Sequence, residues 1–183
     1  MANSISLHKP LHKSMRWLRQ TLWTPLVAGF VVSVPGLLGL ATGQVLLFPS
    51  LGPTAAIQAH NPEDRAARFY NVLVGHLGGL ASACLVVLAL GLADAPSVFV
   101  AQHLTPLRVV ASVLAVMLAL LVEKLLHAYH PTAASTTLLM ALGSFKPNLQ
   151  DVSQITLGVF VVAIVGEFFR RLRLRKGWHE IGD

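Results

Sequence analysis

Two stretches of this chain place proline, threonine and serine at the start of short apolar runs. They are Ser50-Leu51-Gly52-Pro53-Thr54-Ala55-Ala56 and Tyr129-His130-Pro131-Thr132-Ala133-Ala134-Ser135. Proline in a first helical turn wastes no donor, because that amide has no intrahelical partner anyway. The amino end of a helix carries about half a positive charge. Hydroxyls beside such free N–H groups make a site for a small anion. The candidate substrate-binding residues are therefore Ser50, Gly52, Thr54, Thr132 and Ser135. The simpler alternative is that the hydroxyls only cap short helices. The repetition of the motif favours a site, because irregular backbone at membrane depth normally lines a cavity.

Histidines extend this constellation. His60, His76, His127 and His130 lie in or beside apolar segments. His130 directly precedes the second Pro-Thr pair, and His76 lies one turn into an apolar run among glycines. Either can donate a hydrogen bond to an anion or change charge near neutral pH. A bond to a carbonyl at a helix contact is the plainer role for both. Asn71 opens the same apolar run as His76 and completes the candidate binding set. Arg65 and Arg68, three residues apart, are candidates for recruiting an anion. They can equally form a solvated loop paired with Glu63 and Asp64.

Glu123, His127 and His130 are spaced by four and three residues, which would place them on one face of a continuous helix. Three such ligands can hold zinc. Pro131 pushes His130 away from helical geometry, and Lys124 offers Glu123 another partner. No metal or other cofactor is therefore assigned. Glu167, three and four residues before Arg170 and Arg171, reads as an interfacial ion pair. There is no phosphate-binding glycine loop, Ser-His-Asp set or CxxC pair, which argues against an enzyme.

The elements that must hold these residues are membrane helices. The 183-residue chain is 54% apolar and only 12% charged, whereas soluble domains carry about 25% charge. Lys9, Lys13, Arg16 and Arg19 precede the first apolar run, and Arg170, Arg171, Arg173, Arg175 and Lys176 follow the last. Basic flanks stay cytoplasmic, so both termini are expected on that side of a bacterial-type inner membrane. Positive-inside anchoring accounts for the net charge of +6 without nucleic acid. The first apolar run is too long for a signal peptide. Cys84 sits alone within a span and suits small-residue packing.

The pattern predicts a basic interfacial segment over 1–23, a transmembrane domain over 24–170 and a basic tail over 171–183. Long spans are expected at Pro25–Phe48, Asn71–Ala93, Leu107–Leu126 and Val152–Phe169, with short elements at 50–60 and 131–145. Pro35 and Gly36 are expected to kink the first span or thin its packing. At ~1.5 Å per residue the short elements reach only about 16 and 22 Å, against a hydrocarbon core of about 30 Å. The halves echo each other. Thr24-Pro25 matches Thr105-Pro106, Pro53-Thr54 matches Pro131-Thr132, and Val72–Gly75 matches Ile155–Gly158, at offsets of 81, 78 and 83 residues. The expected fold is an all-α membrane protein, four long transmembrane helices plus two short half-helices in a two-fold internal repeat. Four crossings would make the repeats parallel and six would make them inverted; the sequence leaves both open. A site between the repeats follows from such a duplication.

The stretches Ser50–Ala56, Arg68-x-x-Asn71-Val72-Leu73-Val74-Gly75-His76 and His130–Thr136 resemble the HPP family of small integral membrane proteins. The resemblance covers about residues 24–170. The family is named for a His-Pro-Pro motif, and this chain carries His130-Pro131-Thr132 in its place. The resemblance implies four transmembrane helices and, by association with plant and cyanobacterial relatives, nitrite transport. Some members add CBS domains after the membrane part.

The expected function is thus an integral membrane transporter or channel for a small inorganic anion, with nitrite first. The anion would be held by backbone N–H groups and by Thr54 and Thr132. The partners are that anion, the lipid bilayer and further copies in a homo-oligomer. Two rival readings are a non-transporting membrane module that binds a protein or lipid, and a metal-dependent membrane enzyme built on Glu123, His127 and His130.

Overall fold

The computed structural model describes residues 9–175. Residues 1–8 of the interfacial segment expected over 1–23, and the tail beyond Arg175, lie outside the described residues. The protein is an all-α membrane protein of seven helices among those residues, with no strand. They are α1 (Lys9–Thr42), α2 (Leu51–His60), α3 (Phe69–Ala89), α4 (Val98–Ala101), α5 (Pro106–Leu125), α6 (Ala133–Ala141) and α7 (Leu149–Arg175). A 3₁₀ turn, Arg65–Ala67, precedes α3. Four helices are long and apolar enough to cross a membrane: α3, α5, α7 and the Thr21–Thr42 part of α1.

Local chemistry sets several boundaries. Thr105 caps α5, its Oγ1 accepting from the Arg108 amide at 3.3 Å, and Pro106 takes the first turn. The chain does not break before Pro25 as expected; one helix runs through Pro25 and Pro35. It also ends at Thr42, six residues before Phe48. Gly43, at φ +67°, turns the chain, and the Gln44 amide donates back to the Gly39 carbonyl at 3.1 Å. This is the Schellman stop, which needs a left-handed residue just past the helix. The same device ends α5. His127 takes φ +53°, its amide donates to Lys124, and the Ala128 amide donates to the Glu123 carbonyl at 2.8 Å. Gly43 and His127 are 84 residues apart, close to the repeat offset.

After each stop the chain turns back into the bundle as an irregular segment before its half-helix begins. Residues 46–62 run beside α7 and in its direction. The Leu46 carbonyl lies against Gly158, Gln58 against Gly166, and Arg170 Nη1 donates to the Pro62 carbonyl at 2.7 Å. Residues 128–137 run beside α3 in the same way, with His130 against Gly75 and Thr137 against Gly79. Trp23 and Phe30 on α1 meet the Phe169 ring, so the start of α1 adjoins the end of α7. Tyr70 Oη donates to the Leu126 carbonyl at 2.9 Å, bringing the start of α3 to the end of α5.

The chain therefore traverses the bundle six times, twice by a broken segment plus a half-helix. α1-α2-α3 and α5-α6-α7 run in opposite senses, as inverted repeats. The ten residues of α2 supply about 15 Å; its irregular approach supplies the remainder. The second short element is briefer than expected, nine residues instead of fifteen, because Pro131 and Thr132 belong to the turn before it and Gly143, at φ +81°, stops it after Ala141.

Val31, Leu51, Ala55, Ala83, Val87, Met140 and Val159 are fully buried where the half-helices pack on the long ones. Leu26, Phe30 and Leu40 on α1, and Val113, Met117 and Leu125 on α5, face outward. Outward apolar rows of this kind suit lipid. A methyl group at Gly158 would press into the Leu46 carbonyl oxygen and stand 2.9 Å from the Phe48 ring. Backbone cannot yield there as a side-chain tip would. Gly158→Ala is expected to cost about 1–3 kcal/mol, read as a lower midpoint of thermal unfolding in detergent. Gly29→Ala, with nothing within 4 Å of its new methyl, is the matched control. Equal midpoints for the two would refute the close approach.

Candidate functional site

The amino-terminal turns of α2 and α6 lie side by side and antiparallel at the middle of the bundle. Ser50 Oγ contacts Thr136 Oγ1 at 2.7 Å, and Thr54 Oγ1 contacts Thr132 Oγ1 at 2.8 Å. His76 projects from α3 between them. Its Nδ1 is 2.7 Å from Thr136 Oγ1 and its Nε2 is 2.9 Å from Thr54 Oγ1. His130, in the turn before α6, completes the cluster. Its Nε2 lies 2.5 Å from Thr132 Oγ1 and 3.2 Å from Thr54 Oγ1. Its Nδ1 is 2.8 Å from the Ala66 carbonyl. A carbonyl only accepts, so that Nδ1 carries the proton and the neutral ring offers Nε2 as an acceptor.

Ser50, Thr54, His76 and His130 are each 0% exposed, and Thr136 is 1% exposed. The polar interior is satisfied from within, as a buried polar cluster must be. Thr54 is its crowded point. Besides the three contacts above, its Oγ1 lies 2.9 Å from the Ser50 carbonyl, in donating geometry. One hydroxyl has one proton and two lone pairs, so Thr54 cannot serve four neighbours at once. Its bonds have alternatives.

The turn that carries His130 is clamped from three sides. Its amide donates to Glu123 Oε2 at 3.1 Å. Asn71 Nδ2 donates to the Tyr129 carbonyl at 3.2 Å. Gly75 gives it room, since a methyl there would sit 2.7 Å from His130 Cβ. Outside the clamp opens a cleft of about 320 Å³ lined by Arg65, Asn71, Glu123, Lys124, His127 and Tyr129. At the other end of the bundle a groove of about 600 Å³ is lined by Phe48, Pro49, Ser97, Phe145, Asp151 and Gln154. The cluster lies along the chain between these two recesses.

Of the residues singled out in the sequence, Ser50, Thr54, His76, His130 and Thr132 meet in one cluster, and Asn71 supports it. Gly52 and Ser135 are half-buried on the half-helices and stand outside the chain of contacts. Arg65 lines the cleft, whereas Arg68 is exposed at the start of α3 and does not. Most backbone amides of the two amino-terminal turns are already engaged. The Leu51, Thr54, Ala133, Ala134 and Ser135 amides are taken up by carbonyls of their own turns, so hydroxyls and imidazoles face the centre instead. The helical face proposed for a metal does not form. His127 ends α5 in the left-handed conformation, and Glu123 serves the His130 backbone. Glu167 pairs with Arg170 at 2.7 Å and Arg171 at 2.6 Å, as expected, and also accepts from the Phe69 amide at 3.2 Å.

Three residues hold places in the structure that the sequence reading did not give them. Thr136 lies one turn beyond Thr132, and that i+4 spacing was its only signal. Arg108 is 2% exposed at the start of α5, where its guanidinium donates to the Ala141, Leu92, Ala95 and Pro96 carbonyls. Arg173 is buried and donates to the Ala59 carbonyl. Each half-helix thus ends on an arginine, which offsets the negative pole of its dipole.

A family model described as the HPP transmembrane region matches residues 13–178. No curated protein and no solved structure matches the chain.

Proposed function

We propose that this protein, which belongs to the HPP family, moves a small inorganic anion across the membrane, with nitrite as the first candidate, and is a transporter and not an enzyme. The observation that carries the reading is the convergence of both half-helix amino ends on one buried polar cluster between inverted repeats. Two positive helix poles meet there, in surroundings where a polar group without a task is expensive. The hydroxyls of Thr54 and Thr132 would turn from each other to the anion. Nitrite presents two acceptor oxygens in a small, bent, singly charged ion, which suits a pair of donors 2.8 Å apart. Arg65, with Lys124 and His127 in the cleft, would raise the local anion concentration; Arg68 would act only at longer range.

The orientation belongs to the same proposal. The ends of α1 and α7 that carry the basic residues face the cytoplasm of a bacterial-type inner membrane. Pro53 and Pro131 are exposed beside the cluster. Irregular backbone at that depth requires protein or a water-filled cavity against it, which supports a homo-oligomer.

Purified protein in liposomes, given nitrite, nitrate, formate or chloride, tests the function. Saturable nitrite uptake above that of protein-free vesicles is expected. Arg65→Glu is expected to raise the half-saturating concentration several-fold with little change in the maximal rate, because the cleft concentrates the ion without holding it at the centre. Uptake no faster than in empty vesicles, for all four anions, would overturn the reading.

A further inference from the structure

Six side chains form an unbroken line of contacts through the centre: Ser50, Thr136, His76, Thr54, Thr132 and His130, ending on the Ala66 carbonyl. No gap in it exceeds 2.9 Å. The proton count fits the line. His130 Nδ1–H must donate to Ala66, so Thr132 donates to His130 Nε2. When Thr54 gives its one proton to Thr132 and not to the Ser50 carbonyl 2.9 Å away, His76 Nε2–H donates to Thr54, Thr136 to His76 Nδ1, and Ser50 to Thr136. Six groups with one proton each satisfy six bonds, all pointing the same way. Holding an anion needs two or three donors, not a line with both faces of a histidine engaged. Nor does packing require it, because apolar groups of the same shape fill a core at less risk.

We propose that this line carries a proton, and that each anion crosses together with one proton. The inference rests on the anion-transport reading above. In the step proposed, a proton from water on one side bonds to the Ser50 oxygen while each group passes its own proton on, Ser50 to Thr136, Thr136 to His76 Nδ1, His76 Nε2 to Thr54, Thr54 to Thr132 and Thr132 to His130 Nε2, where the new N–H bond holds the extra proton. The hydroxyl that had donated to that nitrogen turns away and donates to the anion instead. On the other side the N–H bond breaks, the proton returns to water and the anion leaves. Nothing is oxidised or reduced, and the net charge moved is zero.

Electrostatics at the site couple the two ions. A lone anion in this dry centre is expensive, and so is a lone imidazolium; together they are less so. The His76 and His130 ring centres are 4.9 Å apart, so two imidazolium charges would repel and the line takes one extra proton. The other charged groups that bear on His130 are Glu123 from α5, bonded to its amide, and Asp64 from the turn before α3, which acts through space. Arg65 and Lys124 share the cleft with Glu123. Neither carboxylate shares a bond with its Nε2.

The test uses wild-type protein in liposomes that enclose a pH-sensitive dye, with nitrite added outside and the membrane potential clamped by potassium and valinomycin. Protein-free vesicles supply the background of nitrous acid leak. One proton entering per nitrite is expected, at a rate that does not change when the clamped potential is reversed. His76→Gln keeps polar atoms near both hydroxyls but cannot carry a proton across itself. It is expected to lose the pH-driven component at least tenfold. The wild-type stoichiometry decides the matter even if that variant fails to fold. Nitrite uptake that carries current and leaves the lumen pH unchanged would overturn the relay and leave anion transport standing. No nitrite uptake above background would remove the transport reading itself.

Discussion

Arg108→Leu is expected to lower the thermal midpoint of the detergent-purified protein by about 10 °C. The guanidinium is 2% exposed and bonds four carbonyls, at 2.9 Å to Ala141, 3.4 Å to Leu92, 2.8 Å to Ala95 and 3.3 Å to Pro96. Those carbonyls belong to the end of α6 and to the connection after α3; Leu92 also accepts the Ala95 amide at 3.2 Å, and the other three depend on the arginine. Each acceptor left unpaired costs about 1–3 kcal/mol, and part is recovered where water reaches the end of the bundle. A net loss of about 4 kcal/mol corresponds to roughly 8–16 °C for a chain of this size. Arg108→Lys keeps the charge but not the planar fork, and should fall between leucine and wild type. A midpoint within 2 °C of wild type for Arg108→Leu, by circular dichroism or dye-based melting, would show that the four bonds do not hold the half-helix.

Thr54→Val is expected to reduce nitrite uptake about 10–100-fold. Valine keeps the volume and removes only the hydroxyl that faces His76, His130, Thr132 and the Ser50 carbonyl. One bond to a charged group is worth about 1.5–3 kcal/mol, which sets that range. Thr54→Ser restores the oxygen and should recover most of the uptake. The pair separates hydroxyl chemistry from packing. Equal uptake by the valine variant and wild type would place the anion elsewhere.

How far the sequence revealed this arrangement can be judged from particular residues. Pro53-Thr54 and Pro131-Thr132 announced two interrupted helices because helix starts have a local chemistry. The repeat offsets then implied that the two would meet. The number of passages was not legible, since each short crossing is completed by an irregular approach with no hydrophobic period to read. Gly43 marked the first turn inward, yet the expected span ran past it to Phe48. His127 hid the second, because a histidine in the left-handed conformation looks like one more helical residue. That mistake made Glu123, His127 and His130 resemble a metal face. Thr136 and the pairing of His76 with His130 depend on how α3 lies against α6, which no spacing along the chain records. Arg108 was legible in principle as a charge in the first turn of an apolar span, a position membrane helices rarely tolerate without a use.

The inverted duplication has one further consequence. Thr54 and Thr132 are counterparts at the 78-residue offset and touch each other, so the pseudo-symmetry axis passes between them. The imidazoles break that symmetry. At the offsets of 83 and 78 residues His76 corresponds to Val159, and His130 to Gly52. Two shapes exchanged by the two-fold rotation, one open to each compartment, would be of equal energy in a perfect duplicate. Here both imidazoles lie among α3, α5 and α6, on one side of the axis, so under the proposed transport the two shapes would differ in energy and one would be the resting side.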